Sequence, residues 1–372
     1  MSSTQSSTPE KTPVQVPVTV LTGFLGAGKT TLLNRILQEQ HGHRIAVIEN
    51  EFGPEGIDNE LLVSDTNEQI VEMNNGCICC TVRGDLLRIL GELKDKRSRG
   101  ELDFDRVIIE TTGMANPGPV TQTFFMDDDI ASFYLLDGVV TVVDAKHGHD
   151  TLDQQPEAQN QVGFADRILM SKTDLVETQE ADSLRARLVK MNPRAPIKPV
   201  HMGQVPVGEV LDIRGFNLNG ILEIDPQFLA TEHPDAAKTR KSQGQDDHHH
   251  DHGHEHDHDH DHDHDHDHHH HHDDAIGAFV FQSKKPFDPA KLEDYMSALT
   301  QVYGQDLLRY KGVLFMNGTN RRMIFQGVHM LMGADAGKPW GRDEAPASKM
   351  VFIGRNLPKD AILKGLEACL AR

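Results

Sequence analysis

Short apolar, β-branched runs recur along the first part of the chain, at Val16–Leu21, Arg44–Ile48, Gln69–Val71, Arg106–Ile109, Val139–Val143, Arg167–Met170 and Ile197–Val200. Helix-length stretches such as Thr30–Gln40, Leu86–Lys94 and Glu180–Lys190 lie between them. Strands that are apolar nearly throughout, alternating with helices, predict an α/β domain over residues 14–216 with a mostly parallel sheet covered on both faces. In such a fold ligands gather at the carboxyl ends of the strands. The residues that follow each run are therefore the ones to search for chemistry.

The pattern stops at Asn217. Residues 217–274 hold a polar stretch and then an Asp-His repeat with no side chain fit for a core, which reads as a disordered linker. Apolar periodicity resumes with a strand at Ala278–Gln282, a helix at Asp288–Thr300, paired strands at Gly312–Met316 and Met323–Gln326, a strand at Met350–Ile353 and a closing helix at Lys359–Leu370. This βαβββα order predicts a smaller α+β domain over residues 275–372. Residues 1–13 are rich in Ser, Thr and Gln without an apolar centre, and read as a disordered tail rather than a secretory signal. No apolar run approaches the roughly 18–20 residues that a membrane helix needs.

The first run leads directly into Gly23, Phe24, Leu25, Gly26, Ala27, Gly28, Lys29 and Thr30, with Thr31 next and a helix after it. This is the spacing of a phosphate loop. Its glycines let backbone N–H groups turn inward on phosphate oxygens, and the following helix points its positive end at the same anion. Lys29 is placed to reach the β- and γ-phosphates, and the Thr30 hydroxyl to ligate Mg²⁺. Glu110-Thr-Thr-Gly113 closes the run Arg106–Ile109. P-loop enzymes put there the acid that holds Mg²⁺ through water and a glycine that senses the γ-phosphate. Ser171-Lys172-Thr173-Asp174 closes the run Arg167–Met170. The Asp174 carboxylate can accept from the N1–H and N2–H₂ edge of guanine, which adenine cannot offer, while the Lys172 stem lies over the base. The familiar form of this motif begins with Asn, and here Ser171 stands in its place.

Charge and cysteine usage narrow the reading. The 372 residues carry a formal charge of −20, but the stretch from Asp246 to Asp274 holds 12 of the 57 acids, 16 of the 23 histidines and no Lys or Arg. Without it 45 acids face 37 bases. Such a balance gives no basic field for nucleic acid or anionic lipid. Of four cysteines, three are packed into Cys77, Cys79 and Cys80. That is no disulfide framework, and it fits a cytoplasmic protein. Three thiols so close suit a thiophilic ion such as Zn²⁺ in an open, exchangeable site. A redox switch and plain structural burial are the alternatives. Glu49 and Glu51 follow the run Arg44–Ile48, where P-loop switches carry their nucleotide-sensing segment, and their carboxylates suit Mg²⁺, a catalytic water or a transition metal.

Taken in order, GFLGAGKTTLLN, ENEFG, GCICC, ETTG and SKTD resemble the CobW family of metallochaperone GTPases, in its YjiA-type branch. The resemblance continues through Met114–Thr123, Arg309–Gly312, Phe325–Val328 and Met350–Gly354, and so spans nearly the whole chain outside the tail and the His-rich insert. It implies an N-terminal GTPase domain and a C-terminal CobW domain. It also implies slow hydrolysis of GTP to GDP and phosphate, and delivery of a divalent metal, usually zinc or cobalt, to client proteins. By the same resemblance the phosphate loop falls on Gly23–Thr31, the metal-binding thiols on Cys77, Cys79 and Cys80, and a further metal ligand on Glu49. The chain departs from the family where Pro54, followed by Glu55, occupies a position that often holds Glu.

The insert supplies its own ligands: His248, His249, His250, His252, His254, His256, His258, His260, His262, His264, His266 and His268, before a terminal His run. Neutral imidazole binds Zn²⁺, Co²⁺ and Ni²⁺ well, and collection of metal for the thiol site is the preferred reading over a solvated spacer. His201, after the last strand of the first domain, faces the ligand side of the sheet. Together these features predict a GTP-hydrolysing zinc metallochaperone using GTP, Mg²⁺ and Zn²⁺, with Lys29, Thr30, Glu110 and Gly113 as catalytic residues. A metal buffer with a vestigial nucleotide site and a cobalt-directed chaperone are the rivals. A P-loop kinase lacks its expected Arg-rich lid. The expected partner is a metal-dependent client, with the oligomeric state of the chain left open between monomer and homo-oligomer, and no role for nucleic acid or membrane.

Overall fold

Near-continuous apolar runs produce seven strands, β1 (Val16–Gly23), β2 (Ile45–Glu49), β3 (Gln69–Glu72), β4 (Arg106–Glu110), β5 (Tyr134–Asp144), β6 (Arg167–Ser171) and β7 (Ile197–Val200). They pair in the order β3-β2-β4-β1-β5-β6-β7, every pair parallel. The computed structural model describes residues 15–49, 69–72, 82–216, 274–342 and 344–371, with the backbone alone at 69–72 and 82–83. Glu51, Cys77, Cys79, Cys80, Pro54, the tail and every histidine of the Asp-His tract lie outside the described residues.

The crossovers are α1 (Lys29–Gln38), α2 (Val82–Ser98), α3 (Pro117–Met126), α4 (Asp128–Phe133), α5 (Gly148–Gln154), α6 (Pro156–Phe164) and α7 (Thr178–Met191). Helix α3 has Pro117 in its first turn and the Asn116 side chain accepting from the Gly118 N–H at 2.9 Å, which satisfies one of its orphan donors. Strands β1, β4 and β5 are buried along nearly their whole length, as a sheet covered on both faces requires. The chain leaves β1 to one side for β4, β2 and β3 and to the other for β5, β6 and β7, so the carboxyl end of β1 is a topological switch point.

The second sheet is antiparallel, in the order β11-β10-β9-β12-β8, from β8 (Ile276–Ser283), β9 (Leu307–Leu314), β10 (Arg321–Val328), β11 (Leu331–Pro339) and β12 (Ser348–Arg355). With α8 (Pro289–Tyr303) and α9 (Lys359–Ala368) it has one strand more than the expected βαβββα order. The addition is β11, an edge strand exposed at nearly every position. Its sequence, LMGADAGKP, has no apolar alternation because neither face is covered. Alternation in β12 divides the two faces. Met350 and Phe352 enter a core with Met296 of α8 and Ile362 of α9, whereas Val351 and Ile353 join the core of the first domain. Among the described residues no helix is long and apolar enough to cross a membrane.

A buried polar seam accompanies that shared core. Asp166 accepts from both terminal nitrogens of Arg309, at 2.9 and 3.1 Å, and from Lys311 Nζ at 2.7 Å. Burial opposes the Asp166 charge, but the two cations prevail and hold its carboxyl at about 2. Burial, reinforced by the neighbouring Arg309 charge, pushes Lys311 down to about 8. One anion facing two cations accounts for both directions: the anion is held charged, and the second cation is in surplus. The Arg309 guanidinium also lies 3.9 Å from the centre of the Phe216 ring. On β8's side, Asp274 receives Arg187 Nη2 at 2.6 Å and Nε at 3.0 Å, both side chains buried.

Candidate functional site

The loop after β1 follows from its glycines. Gly23 has φ 141° and its missing Cβ is where the Val142 backbone passes. Gly26 at φ 70° and Gly28 at φ 96° occupy the left-handed region that other residues avoid. Phe24 and Ala27 are buried while Leu25 is 71% exposed, so the loop is anchored at two points and open between them. Lys29 Nζ donates to the Gly23 and Phe24 carbonyls at 3.1 and 3.2 Å. Burial pushes the Lys29 ammonium below its ordinary value, and the charge of Glu110 pulls it partly back.

Thr30 Oγ1 donates to Glu110 Oε1 at 2.8 Å, although the two residues are 80 positions apart. The register that brings Glu110 level with Leu21 of β1 makes this contact possible. A hydroxyl and a carboxylate at one spot are the oxygen donors Mg²⁺ takes, with water filling the remaining positions. After Glu110, Thr111 is tied to β1 through its N–H to the Leu21 carbonyl at 2.9 Å and its hydroxyl to Thr22 Oγ1 at 2.8 Å. Gly113 then passes so close to the loop that a Cβ on it would sit 2.5 Å from the Leu25 Cα. Only glycine fits there.

On the other side of β1, Ser171 Oγ donates to the Ala27 carbonyl at 2.7 Å and, more weakly, to the Val143 carbonyl at 3.3 Å. Ser171 thus braces the phosphate loop directly. Lys172 adopts φ 56° and its ammonium reaches Asp144 Oδ2 at 2.6 Å. Asp144 is buried and also accepts from the Lys146 N–H at 2.8 Å. Sequence reasoning passed over Asp144, whose one signal is an acid at the end of an apolar strand. Asp174 is half exposed and lies 3.3 Å from His201 Nδ1, which places His201 beside the residue expected to read the base.

Glu49 ends β2 and stands in register with Glu110 of β4. Adjacent strands are about 4.8 Å apart, so the expected metal ligand is one strand from the expected Mg²⁺ acid. Among the described residues no group of three or more His, Cys, Asp or Glu is gathered to hold a metal. The thiols and the remaining candidates lie outside the described residues.

The model of the CobW/HypB/UreG nucleotide-binding domain matches residues 17–199, and that of the cobalamin synthesis protein cobW C-terminal domain matches residues 276–370. The zinc chaperone YjiA of Escherichia coli is 42% identical over 346 residues, which cover 93% of this chain and 96% of that protein. The chain belongs to the CobW family. The zinc chaperone CobW of Pseudomonas aeruginosa, 31% identical over 390 residues, covers 95% of this chain and is itself covered to 91%. Among solved structures, the Zn(II)-bound YjiA GTPase from E. coli superposes with a TM-score of 0.73 at 36% identity, covering 96% of this chain and 100% of that one. The two-sheet architecture is thus a CobW-family architecture, and the family's nucleotide-binding domain contains the whole Gly23–Thr31, Glu110–Gly113 and Ser171–Asp174 constellation.

Proposed function

We propose that this CobW-family protein is a GTP-hydrolysing zinc metallochaperone. The observation that carries the reading is the register of Glu49 with Glu110, which sets the metal candidate beside the nucleotide site. In this reading the N–H groups of Gly23–Thr31 and the Lys29 ammonium hold the phosphates. Lys29 gives up two neutral carbonyls for charged oxygens, a stronger class of hydrogen bond. Thr30 and Glu110 would hold Mg²⁺, which when bound neutralises charge on the transferred phosphoryl group. Gly113 senses the γ-phosphate. Asp174 selects guanine, with Lys172 over the base and Asp144 holding the lysine in place.

Zinc is the cargo. The proteins this chain resembles across nine-tenths of its length are zinc chaperones by name, and three thiolates suit zinc. Cys77, Cys79, Cys80 and Glu49 take the ion, Glu51 sits in the same nucleotide-sensing segment, and the tract from His248 onward collects metal for them. A cytoplasmic client protein receives the ion, and self-association of the chain is compatible with the same chemistry.

The test is a zinc titration against a competing chelator, using protein deleted for His248–His272, with GDP and then with a non-hydrolysable GTP analogue and Mg²⁺. A tight site near one equivalent, lost in Cys79→Ala and shifted several-fold by the nucleotide, is the expected result. Linkage requires zinc to shift the analogue's affinity by the same factor. A tight site blind to nucleotide, or loss of nearly all zinc capacity with the tract, would sink the coupled chaperone in favour of a metal buffer.

A further inference from the structure

We infer that Gln161 is a positioning residue for GTP hydrolysis: from α6 it holds the loop that reads the γ-phosphate, and the C-terminal domain holds α6. The inference rests on the reading of Gly113 given above and adds to it the residue that fixes the glycine and the domain that backs that residue.

Gln161 is fully buried. Its Nε2 donates to the Gly113 carbonyl at 3.1 Å and to the Ala115 carbonyl at 3.0 Å, bracketing the turn that leads from Glu110 into α3. Two carbonyls in front of the amide leave its orientation no choice, since a rotated amide would set oxygen against oxygen. The amide oxygen Oε1 is left buried without a hydrogen-bond partner among the described residues. What this side chain contributes here is its two donors, since its oxygen has no partner among the described residues. The peptide plane adds direction. With the Gly113 carbonyl drawn toward α6, the Met114 N–H of the same trans peptide points away from α6. The glycine itself is pressed against Leu25 of the phosphate loop.

Helix α6 is in turn fixed from several sides. Thr141 Oγ1 of the central strand β5 donates to the Gln161 carbonyl at 2.8 Å. Asn192 Nδ2 caps the helix end, reaching the Val162 carbonyl at 2.8 Å and the Ala165 carbonyl at 2.9 Å. The other holds come from the C-terminal domain. Arg355 Nη2 of β12 donates to Asn160 Oδ1 at 2.9 Å, and Arg309 Nη1 of β9 to the Phe164 carbonyl at 2.9 Å. Leu308 fills the space left by Gly163, where a Cβ would meet it at 2.6 Å. His329, at the β10–β11 turn, packs on Phe164 with ring centres 5.2 Å apart and on Gly118 of α3. The second domain thus touches both helices that flank the sensing turn. A change in how the domains meet reaches Gly113 through one helix turn.

The test uses the full-length protein and a guanine nucleotide with and without a γ-phosphate. If Gly113 reads the γ-phosphate, GDP leaves it uncontacted, and GDP affinity reports folding and the rest of the site. Gln161→Met, of similar volume and without donors, is expected to keep GDP binding within about twofold. It should bind guanylyl imidodiphosphate with Mg²⁺ about tenfold more weakly and lower kcat by a similar factor. Arg355→Ala, on the far side of α6, is expected to lower the analogue-to-GDP affinity ratio about threefold. Equal weakening of both nucleotides in Gln161→Met, or no weakening of either, overturns the positioning role. An unchanged ratio in Arg355→Ala overturns the link to the second domain. If circular dichroism shows Gln161→Met to be misfolded, the near-isosteric Gln161→Glu, which also lacks the two donors, is read by the same analogue-to-GDP ratio and the same outcomes decide. A wild-type protein that binds neither guanine nucleotide would sink the reading of the nucleotide site instead.

Discussion

The nucleotide face and the seam between the sheets are built from the same parts and behave in opposite ways. Each buries a lysine near a carboxylate, Lys29 by Glu110 and Lys311 by Asp166, and in each burial pushes the ammonium down. At the seam Lys311 and Arg309 divide their donors between the Asp166 carboxylate, at 2.7 and 2.9 Å, and one backbone carbonyl each, Gly215 and Phe164. At the nucleotide face Lys29 meets two neutral backbone carbonyls, and Thr30 satisfies Glu110 with a hydroxyl. Charged phosphate oxygens outcompete neutral carbonyls for an ammonium, whereas nothing small displaces Asp166. The seam ties its cations to a fixed anion, whereas the nucleotide face leaves its ammonium on partners that can be exchanged.

The two regions differ most at Lys29. Lys29→Met should slow GTP hydrolysis by about a thousandfold, the upper range for losing one preorganised charge stabiliser. It should leave the melting temperature unchanged or slightly raised, because a desolvated ammonium has been removed. Steady-state hydrolysis together with thermal unfolding checks both halves. The reverse holds for Asp166→Ala, which strands two buried cations and is expected to destabilise the fold by about 3–4 kcal/mol in urea titration. Lys311→Met, removing the surplus cation, should cost much less.

Acid sharpens the same contrast. The folded Asp166 carboxyl is held at about 2 against an ordinary 3.8, so the unfolded chain takes up the proton first as pH falls. The resulting stability, about 2 kcal/mol, is complete above pH 4 and is lost between pH 4 and 2. Urea midpoints of wild type and Asp166→Asn across that window should converge. The smallest effect belongs to Ser171→Ala, which removes the brace on the Ala27 carbonyl and should weaken GDP binding by about 1 kcal/mol with little change in kcat.

What could be read from the chain followed from how local each feature is. The seven strands of the first sheet were legible because parallel strands buried on both faces are apolar throughout, although β5 begins at Tyr134 rather than Val139. The candidate nucleotide motifs could be found because each packs its chemistry into a few consecutive residues beside a strand end, and the fold brings them together around β1. Helices α3 to α6 were not anticipated, being short and rich in Gly, Pro, Gln and Asp without clear periodicity. Strand β11 has no covered face to impress a pattern on it. The residues that hold the site, Asp144 for Lys172 and Ser171 for Ala27, work across 28 and 144 positions. The seam joins Asp166 to Arg309 across 143. No local rule encodes a pairing that only the fold creates.

Phe216 under Arg309 and Asp274 on Arg187 have a consequence for the segment between them. Both ends of residues 217–273 are fastened to the folded body, so the segment closes a ring whose anchorage does not depend on its length. Ring-closure entropy grows only with the logarithm of length, about 0.6 kcal/mol for each doubling. That is less than the roughly 2 kcal/mol of stability assigned to the Asp166 carboxyl above. The number of residues between Phe216 and Asp274 can therefore grow or shrink by whole Asp-His repeats while the enclosing fold keeps nearly all its stability.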